Sequence, residues 1–280
     1  MKCRLTTLSD NTVSGRPRGL LAEWGLSILM ETEGITVLLD AGASVSAVHN
    51  GDILGIDWPR IHAIVLSHGH YDHTGGLRQV LTRINRTVKV VAHPGIFEAK
   101  YIQVFKDETP GGIGMPHDRQ ELERLGAVFQ ITREPVWLSK DVVTSGEIPM
   151  ITDYEAIDPG MYVEKNGAIL PDPLADDQAL FIKTDEGLVV VLGCAHRGAI
   201  NTLRHAQKVT GVQPIHTVVG GMHLIRASEV QLELTIAELK GMGVQRLGVC
   251  HCTGMPASVR LAQELGQSLL FNAAGSVVTF

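Results

Sequence analysis

Six residues, His68-Gly69-His70-Tyr71-Asp72-His73, constrain this chain more than any other stretch. They follow the apolar run Ile61-His62-Ala63-Ile64-Val65-Leu66-Ser67 and precede Thr74-Gly75-Gly76-Leu77, where a helical pattern begins. Four side chains able to hold a metal are therefore expected in one short loop at a strand end. Imidazole nitrogen and carboxylate oxygen suit zinc, iron, nickel or manganese. His68 and His70 are two apart, so in an extended stretch they point the same way. Asp72 and His73 follow the turn and can face the same cavity from another side. That geometry suits two cations better than one.

The rest of the chain repeats the theme of histidine at a strand end. Leu188 to Leu192 leads into Gly193-Cys194-Ala195-His196, residues 215–219 into Gly220-Gly221-Met222-His223, and residues 244–249 into Cys250-His251-Cys252. Any one of these is weak evidence. Together they predict one cavity assembled from distant segments, with a binuclear metal site. His93, before Pro94, is assigned to a structural hydrogen bond instead. Cys250 and Cys252 alternate with His251, so in an extended strand they point away from it and pack. With four cysteines in all, two of them flanking a histidine, no disulfide framework is expected, which favours a reducing cytoplasm.

A chain of 280 residues that is 44% hydrophobic can bury a large core, and we expect one domain over residues 1–280. A net charge of −6 argues against a nucleic-acid partner. The start, Met1-Lys2-Cys3-Arg4-Leu5, has no apolar signal region, and no apolar run is long enough for a membrane span, so no membrane partner is expected. The pattern sets no oligomeric state.

Periodicity predicts strands at residues 2–8 and 20–39, the latter a hairpin about Glu33-Gly34, and helices at 44–54 and 77–84. A strand at 88–92 follows, then a glycine-rich segment at 106–117 read as a flexible lid. A helix capped by Asp118 and short strands at 127–131, 135–138 and 141–145 come next. Proline, glycine and acidic residues dominate 146–177, and Pro171-Asp172-Pro173 with Asp176-Asp177 is expected to be a solvated loop rather than a metal site. The polar stretch 11–19 is likewise assigned to the surface. Strands and helices then alternate: a hairpin at 179–192, helices near 199–208, 228–240 and 257–265, and a last strand at 276–280.

The segment from Ser67 to Leu77 resembles the HxHxDH signature of the metallo-β-lactamase-fold superfamily. Leu39-Asp40-Ala41-Gly42, Gly193-Cys194-Ala195-His196-Arg197-Gly198, Gly220-Gly221-Met222-His223-Leu224 and Cys250-His251-Cys252-Thr253-Gly254 resemble one branch of it. That branch contains metallohydrolase-like proteins and archaeal enzymes that join a dihydropterin to a ribofuranosylaminobenzene phosphate. The resemblance implies an α/β fold, a four-layer αββα sandwich with the site along one edge of two sheets. It makes Asp40, on local sequence a turn residue, a support behind the histidine loop.

By position, the resemblance implies that His68, His70 and His196 hold a first cation, and Asp72, His73 and His251 a second. Zinc is the first expectation, with iron, manganese or nickel as alternatives. Cys194 stands where most hydrolases of the superfamily place a bridging aspartate; it either ligates a soft metal or packs as a spectator. Asp72 is expected to orient the nucleophile and His223 to act in catalysis or touch substrate. Arg197, Thr253 and Gly254, at helix starts, are expected to hold an anionic small-molecule substrate. The first functional expectation is a metal-dependent hydrolase of a small ester, phosphoester or lactone, working through metal-activated water. The alternative is a transferase joining a dihydropterin to an arylamine. A non-catalytic metal or ligand binder is the third.

Overall fold

The computed structural model describes residues 2–105 and 108–280. Two large sheets lie face to face. The first has seven strands in the order Val277–Thr279, Cys3–Ser9, Ser27–Thr32, Thr36–Leu39, Ala63–Val65, Val88–Ala92 and Ala127–Ile131. The second has six: Leu269–Phe271, Arg246–Val249, Ile215–Gly220, Gly187–Leu192, Ala179–Thr184 and Val142–Thr144. In each sheet an antiparallel hairpin leads into parallel strands. Thr36–Leu39 starts the parallel set in one, and Gly187–Leu192 starts it in the other.

Three apolar clusters explain why the layers stack. Between the sheets, Ile28, Met30, Val37, Leu39 and Val65 meet Leu180, Ile182, Val189, Val191 and Val219. The outer face of the first sheet packs Leu38, Ile64 and Val90 against Leu77, Val80, Leu81 and Ile84. The last four lie on one face of the helix Leu77–Ile84, at the spacing of a single helical stripe. The outer face of the second sheet packs Phe181, Leu188, Val190 and Leu192 against Ile200, Leu203, Ile236, Leu239 and Leu261. Neighbouring residues of one strand thus enter opposite buried layers, which is why Leu188 to Leu192 is apolar without alternation. Each fully buried aliphatic side chain contributes about 1.5–3 kcal/mol. The result is the expected αββα sandwich, and no helix among the described residues is long and apolar enough to cross a membrane.

The region between residues 98 and 177 differs from expectation. Ala168–Pro171, Met161–Lys165, Lys100–Ile102 and Gly111–Gly112 form a third, four-stranded sheet beside the site. The segment expected to be a lid is tied into this sheet at Gly111 and Gly112, while residues 106 and 107 of it lie outside the described residues. Nor is the acidic loop solvated. The Lys100 ammonium, itself buried, donates to Asp172 at 2.6 Å and to Asp176 at 2.9 Å, and both carboxylates are buried. Charges this deep need a partner. Here the partner lies 72 and 76 residues away in the chain, beyond the reach of any local pattern. Asp176 also accepts the Gly69 amide at 2.8 Å, so this ion network braces the histidine loop from below.

Candidate metal centre

The first sheet builds its half of the site around Asp40. This residue ends the strand Thr36–Leu39 in a left-handed conformation, with φ 60°. Its carboxylate accepts the Ser67 amide and the Ser67 hydroxyl, each at 2.7 Å, and meets His73 Nδ1 at 2.6 Å. The carboxylate therefore takes the proton on His73 Nδ1 and turns Nε2 into the cavity. Ser67 gives its own proton to Asp40, so its oxygen is free to accept from His68 Nδ1 at 2.9 Å. That fixes the tautomer of His68 in the same sense. Such support is what orients metal-binding imidazoles. His68 through His73 are buried apart from Tyr71.

The second sheet supplies its donors one strand end at a time. Gly193 is pressed so close to the histidine loop that a Cβ there would lie 2.2 Å from Ser67 Oγ, so only glycine fits. The contact sets Cys194 and His196 against the loop. His223 follows Ile215–Gly220, and His251 follows Arg246–Val249. Ala195, His223 and His251 all adopt positive φ, of 53°, 47° and 52°. Left-handed backbone at residues with a side chain costs about 1–3 kcal/mol each and gathers at functional sites.

The nitrogens converge in two groups. In one, His68 Nε2 lies 2.9 Å from His70 Nδ1 and 3.2 Å from His196 Nε2. In the other, His73 Nε2 is 3.2 Å from His251 Nε2, and Asp72 Oδ2 is 3.4 Å from His251 Nε2 and 3.8 Å from His73 Nε2. With Nδ1 of His68 acting as a donor, its Nε2 lone pair faces other ring nitrogens. His70 Nε2 and His196 Nδ1 are buried without any partner. Imidazoles that converge on one cavity, with a carboxylate beside them, are the donor set of divalent cations such as zinc. These residues fit a metal centre.

Electrostatics separate the two groups. Burial, followed by the mutual repulsion of the neighbouring histidines, holds His68 and His196 well below the usual imidazole range, and burial takes His70 down to about 3. The first group is therefore neutral and ready to bind. At His73 burial works against the charge, but Asp40 and Asp72 outweigh it and lift its pKa to about 9. Burial opposes ionisation of Asp72 too, and His73 and His251 outweigh it, holding the carboxyl well below its usual range. A cation in the second group must displace the His73 proton.

Cys194 sits between the groups. Its sulfur clusters with His68 and His196 on one side and with His73 and His251 on the other, 3.1 Å from His73 Nε2. Cys252 joins Cys194 and His223 in a further cluster. This corrects the expectation that Cys252 points away. The chain turns into a 3-10 helix at His251–Thr253, which ends the strand alternation and swings Cys252 inward. Cys250 packs between the sheets as expected.

Of the residues expected to hold substrate, Arg197 and Thr253 do not line the cavity over the histidines, and Gly254 lines the neighbouring cleft that runs past Asn11 and Phe271. Arg197 spends its guanidinium on the carbonyls of Ile148 and Pro173, the latter at 2.8 Å, and does not enter the cavity. The Thr253 hydroxyl accepts the Met222 amide at 3.1 Å and is fully buried. The amides of Gly198 and Gly254 close local turns. His223 does face the cavity. It is largely buried, neither ring nitrogen has a partner, and its Nε2 is 3.9 Å from Asp158. A cavity of about 290 Å3 opens over His70, Asp72, Cys194, His196, His223 and His251, with Trp24, Ile102, Ile113 and Met161 as apolar walls and Arg226 at its mouth. Arg226 and Trp24 were missed in the sequence, where neither belongs to a histidine motif, and Cys252 was read as packed. Asn11, assigned to the surface, holds His251 Nδ1 at 3.0 Å. His93 is as expected, with Nδ1 accepting the Gly95 amide and Nε2 on Glu147.

Two facing sheets with a histidine-rich candidate metal centre at one edge define an αββα protein. The chain belongs to the metallo-beta-lactamase superfamily, whose model matches residues 25–197. It is 32% identical to the 7,8-dihydropterin-6-methyl-4-(beta-D-ribofuranosyl)-aminobenzene-5'-phosphate synthase of Methanocaldococcus jannaschii, over 99% of this chain and 96% of that protein. An uncharacterized protein of the same organism is 30% identical over 91% of this chain and 93% of its own length. A solved metal-dependent hydrolase of the beta-lactamase superfamily superposes with a TM-score of 0.84 at 28% identity, covering 99% of this chain and 98% of that one.

Proposed function

We propose that this protein is a metal-dependent transferase that moves a small ring-bearing group from an anionic leaving group to an arylamine. The observation that carries the reading is a second cleft. It has a volume of about 680 Å3, runs past Asn11, Met255 and Phe271, and shares Trp24, Ile225 and His251 with the cavity over the histidines. Hydrolysis needs room for one substrate and water. Two clefts that meet at one wall of the centre suit two organic substrates held together. The similarity to a synthase over nearly the whole chain supports the same reading.

The apolar walls Trp24, Ile102, Ile113 and Met161 suit a flat ring. Arg226 at the mouth, 3.4 Å from Asp158, offers a cation to a phosphate. A pair of divalent cations, zinc first, held by His68, His70, His196, Asp72, His73 and His251, would supply Lewis acidity for the departing phosphate oxygen. The bond from the ring's methylene carbon to that oxygen breaks as the bond to the amine nitrogen forms. His223 faces the cavity beside Cys252 and Asp158, where its imidazole is placed to take the proton that the amine loses. Asp72 lies beside His251 and helps orient the incoming group.

Hydrolysis is the second reading, favoured by the 28% identical solved structure described as a metal-dependent hydrolase. One experiment separates the two. The metal-loaded protein is given a dihydropterin methyl pyrophosphate with and without an arylamine, and products are followed by mass spectrometry. Coupled product that forms only with the amine supports transfer. Free hydroxymethyl dihydropterin in both reactions supports hydrolysis. An untouched pyrophosphate would sink both readings for this substrate class.

A further inference from the structure

The thiol of Cys194 stands within reach of two nitrogens of each group, a position that neither Asp72 nor His223 shares. Among the described residues, its sulfur closes a cluster with His68 and His196 and another with His73 and His251, all ligand atoms within 4.8 Å of one another. It is buried, and Asp72, the carboxylate that reaches both groups, closes a cluster with only one nitrogen of each, His68 and His73. Its position is fixed from behind. Gly193 is wedged against Ser67, and the Gly221 amide donates to the Gly193 carbonyl at 3.0 Å. On the far side, the Cys252 sulfur meets the Cys194 carbonyl at 3.6 Å. The Cys194 backbone therefore cannot leave the centre without moving two strand ends.

We propose that Cys194 is a bridging ligand, a single thiolate shared by two cations. Binding breaks the S–H bond and releases that proton to solvent, while the sulfur donates one electron pair to each cation. Sulfur is a soft, polarisable donor, so the centre prefers thiophilic cations, zinc, cadmium, cobalt(II) or iron(II), over manganese or magnesium. A thiolate carries the same single negative charge as a carboxylate but donates more electron density to the cations it binds. That lowers their power to acidify water and suits displacement by an organic nucleophile. The inference rests on the metal-binding part of the proposed function and is independent of which reaction the centre performs.

Cobalt(II) reads the sulfur directly, because a cobalt-bound thiolate adds a charge-transfer band in the near ultraviolet. The chelator-treated protein is titrated with cobalt(II) while absorbance and bound metal are recorded together. The expected result is a band that appears with the first equivalent, grows or shifts with the second, and persists in Cys252→Ser. In Cys194→Asp the band should be absent while two cobalt ions still bind, since a carboxylate can span the same gap. A band that saturates at one equivalent would make Cys194 a terminal ligand and overturn the bridge. A band lost in Cys252→Ser and kept in Cys194→Asp would overturn it too, by assigning the sulfur to Cys252. Failure of the wild-type protein to bind cobalt or zinc at all would remove the metal centre itself, and with it the metal-dependent reading of function.

Discussion

The two halves of the site rest on two buried carboxylates in opposite situations. Asp40, behind the loop of the first sheet, is fully compensated: it accepts from Ser67 twice and faces His73. Asp177, beneath the strand ends of the second sheet, accepts the Arg197 amide at 2.9 Å, yet its other oxygen is buried without a partner. Burial therefore pushes Asp177 up to about 7, while nearby Asp176 adds repulsion. The first carboxylate stabilises the fold and aims a ligand. The second is held in place at a cost in stability. Buried charge helps only where its partners are complete.

Removing each carboxylate tests that contrast, and the two changes should have opposite signs. Asp40→Ala leaves the Ser67 amide and His73 without their acceptor, and should cost about 3–5 kcal/mol. Urea denaturation of the chelator-treated protein measures it; a loss below about 1 kcal/mol would mean that Asp40 is a passive turn residue.

Asp177→Asn should raise stability. The folded pKa lies above the ordinary 3.8, so the stabilising contribution of the protonated carboxyl is complete below about pH 4 and is lost as pH rises through about 7. The asparagine has no charge to lose. At pH 8 the variant should exceed the chelator-treated wild type by about 2 kcal/mol, and the gap should close towards pH 4. A gap that does not change with pH would show that Asp177 ionises freely in the fold.

A smaller effect compares the supports of the two sheets. Asn11→Ala frees His251 Nδ1 without touching a ligand, and should weaken zinc binding about 10–100-fold with little change in folding. Competition with a chromophoric chelator measures it, and equal affinity would mean that the strand end alone aims His251. The smallest effect concerns Arg197. Its guanidinium clips the segments at Ile148 and Pro173, so Arg197→Ala should lower stability by about 1 kcal/mol. The Michaelis constant for an anionic substrate should stay unchanged. A selective rise in that constant would restore Arg197 to the substrate site. The same substitution at Arg226 should raise it.

Particular residues show why some of this was legible and some was not. The helix at Leu77–Ile84 and the strand at Val88–Ala92 match their predicted limits, because amphipathic period and strand length are local properties. Asp118 and Ser228 cap the helices they were expected to cap, each accepting an amide three residues on. Local reasoning failed where a distant partner decided the outcome. Asp172 and Asp176 looked like a solvated acidic loop until Lys100 came to lie between them. Cys252 looked like a residue packed away from the site because strand alternation was extended past a turn. Arg197 looked like an anion contact because its helix start was visible and the two carbonyls it holds were not.

The sequence by itself determined that metal-capable residues fall at the ends of apolar strands, and that His68, His70, Asp72 and His73 share one loop. Those are matters of spacing, and spacing survives without coordinates. Only the tertiary structure decided which strand ends meet. Parallel strands in two facing sheets bring Cys194, His196, His223 and His251 to the loop from sequence distances of more than a hundred residues. It also decided that Cys194 falls between the two groups. That position depends on how closely Gly193 lets one sheet approach the other, and side-chain volume at a contact has no signature in the pattern of a single chain.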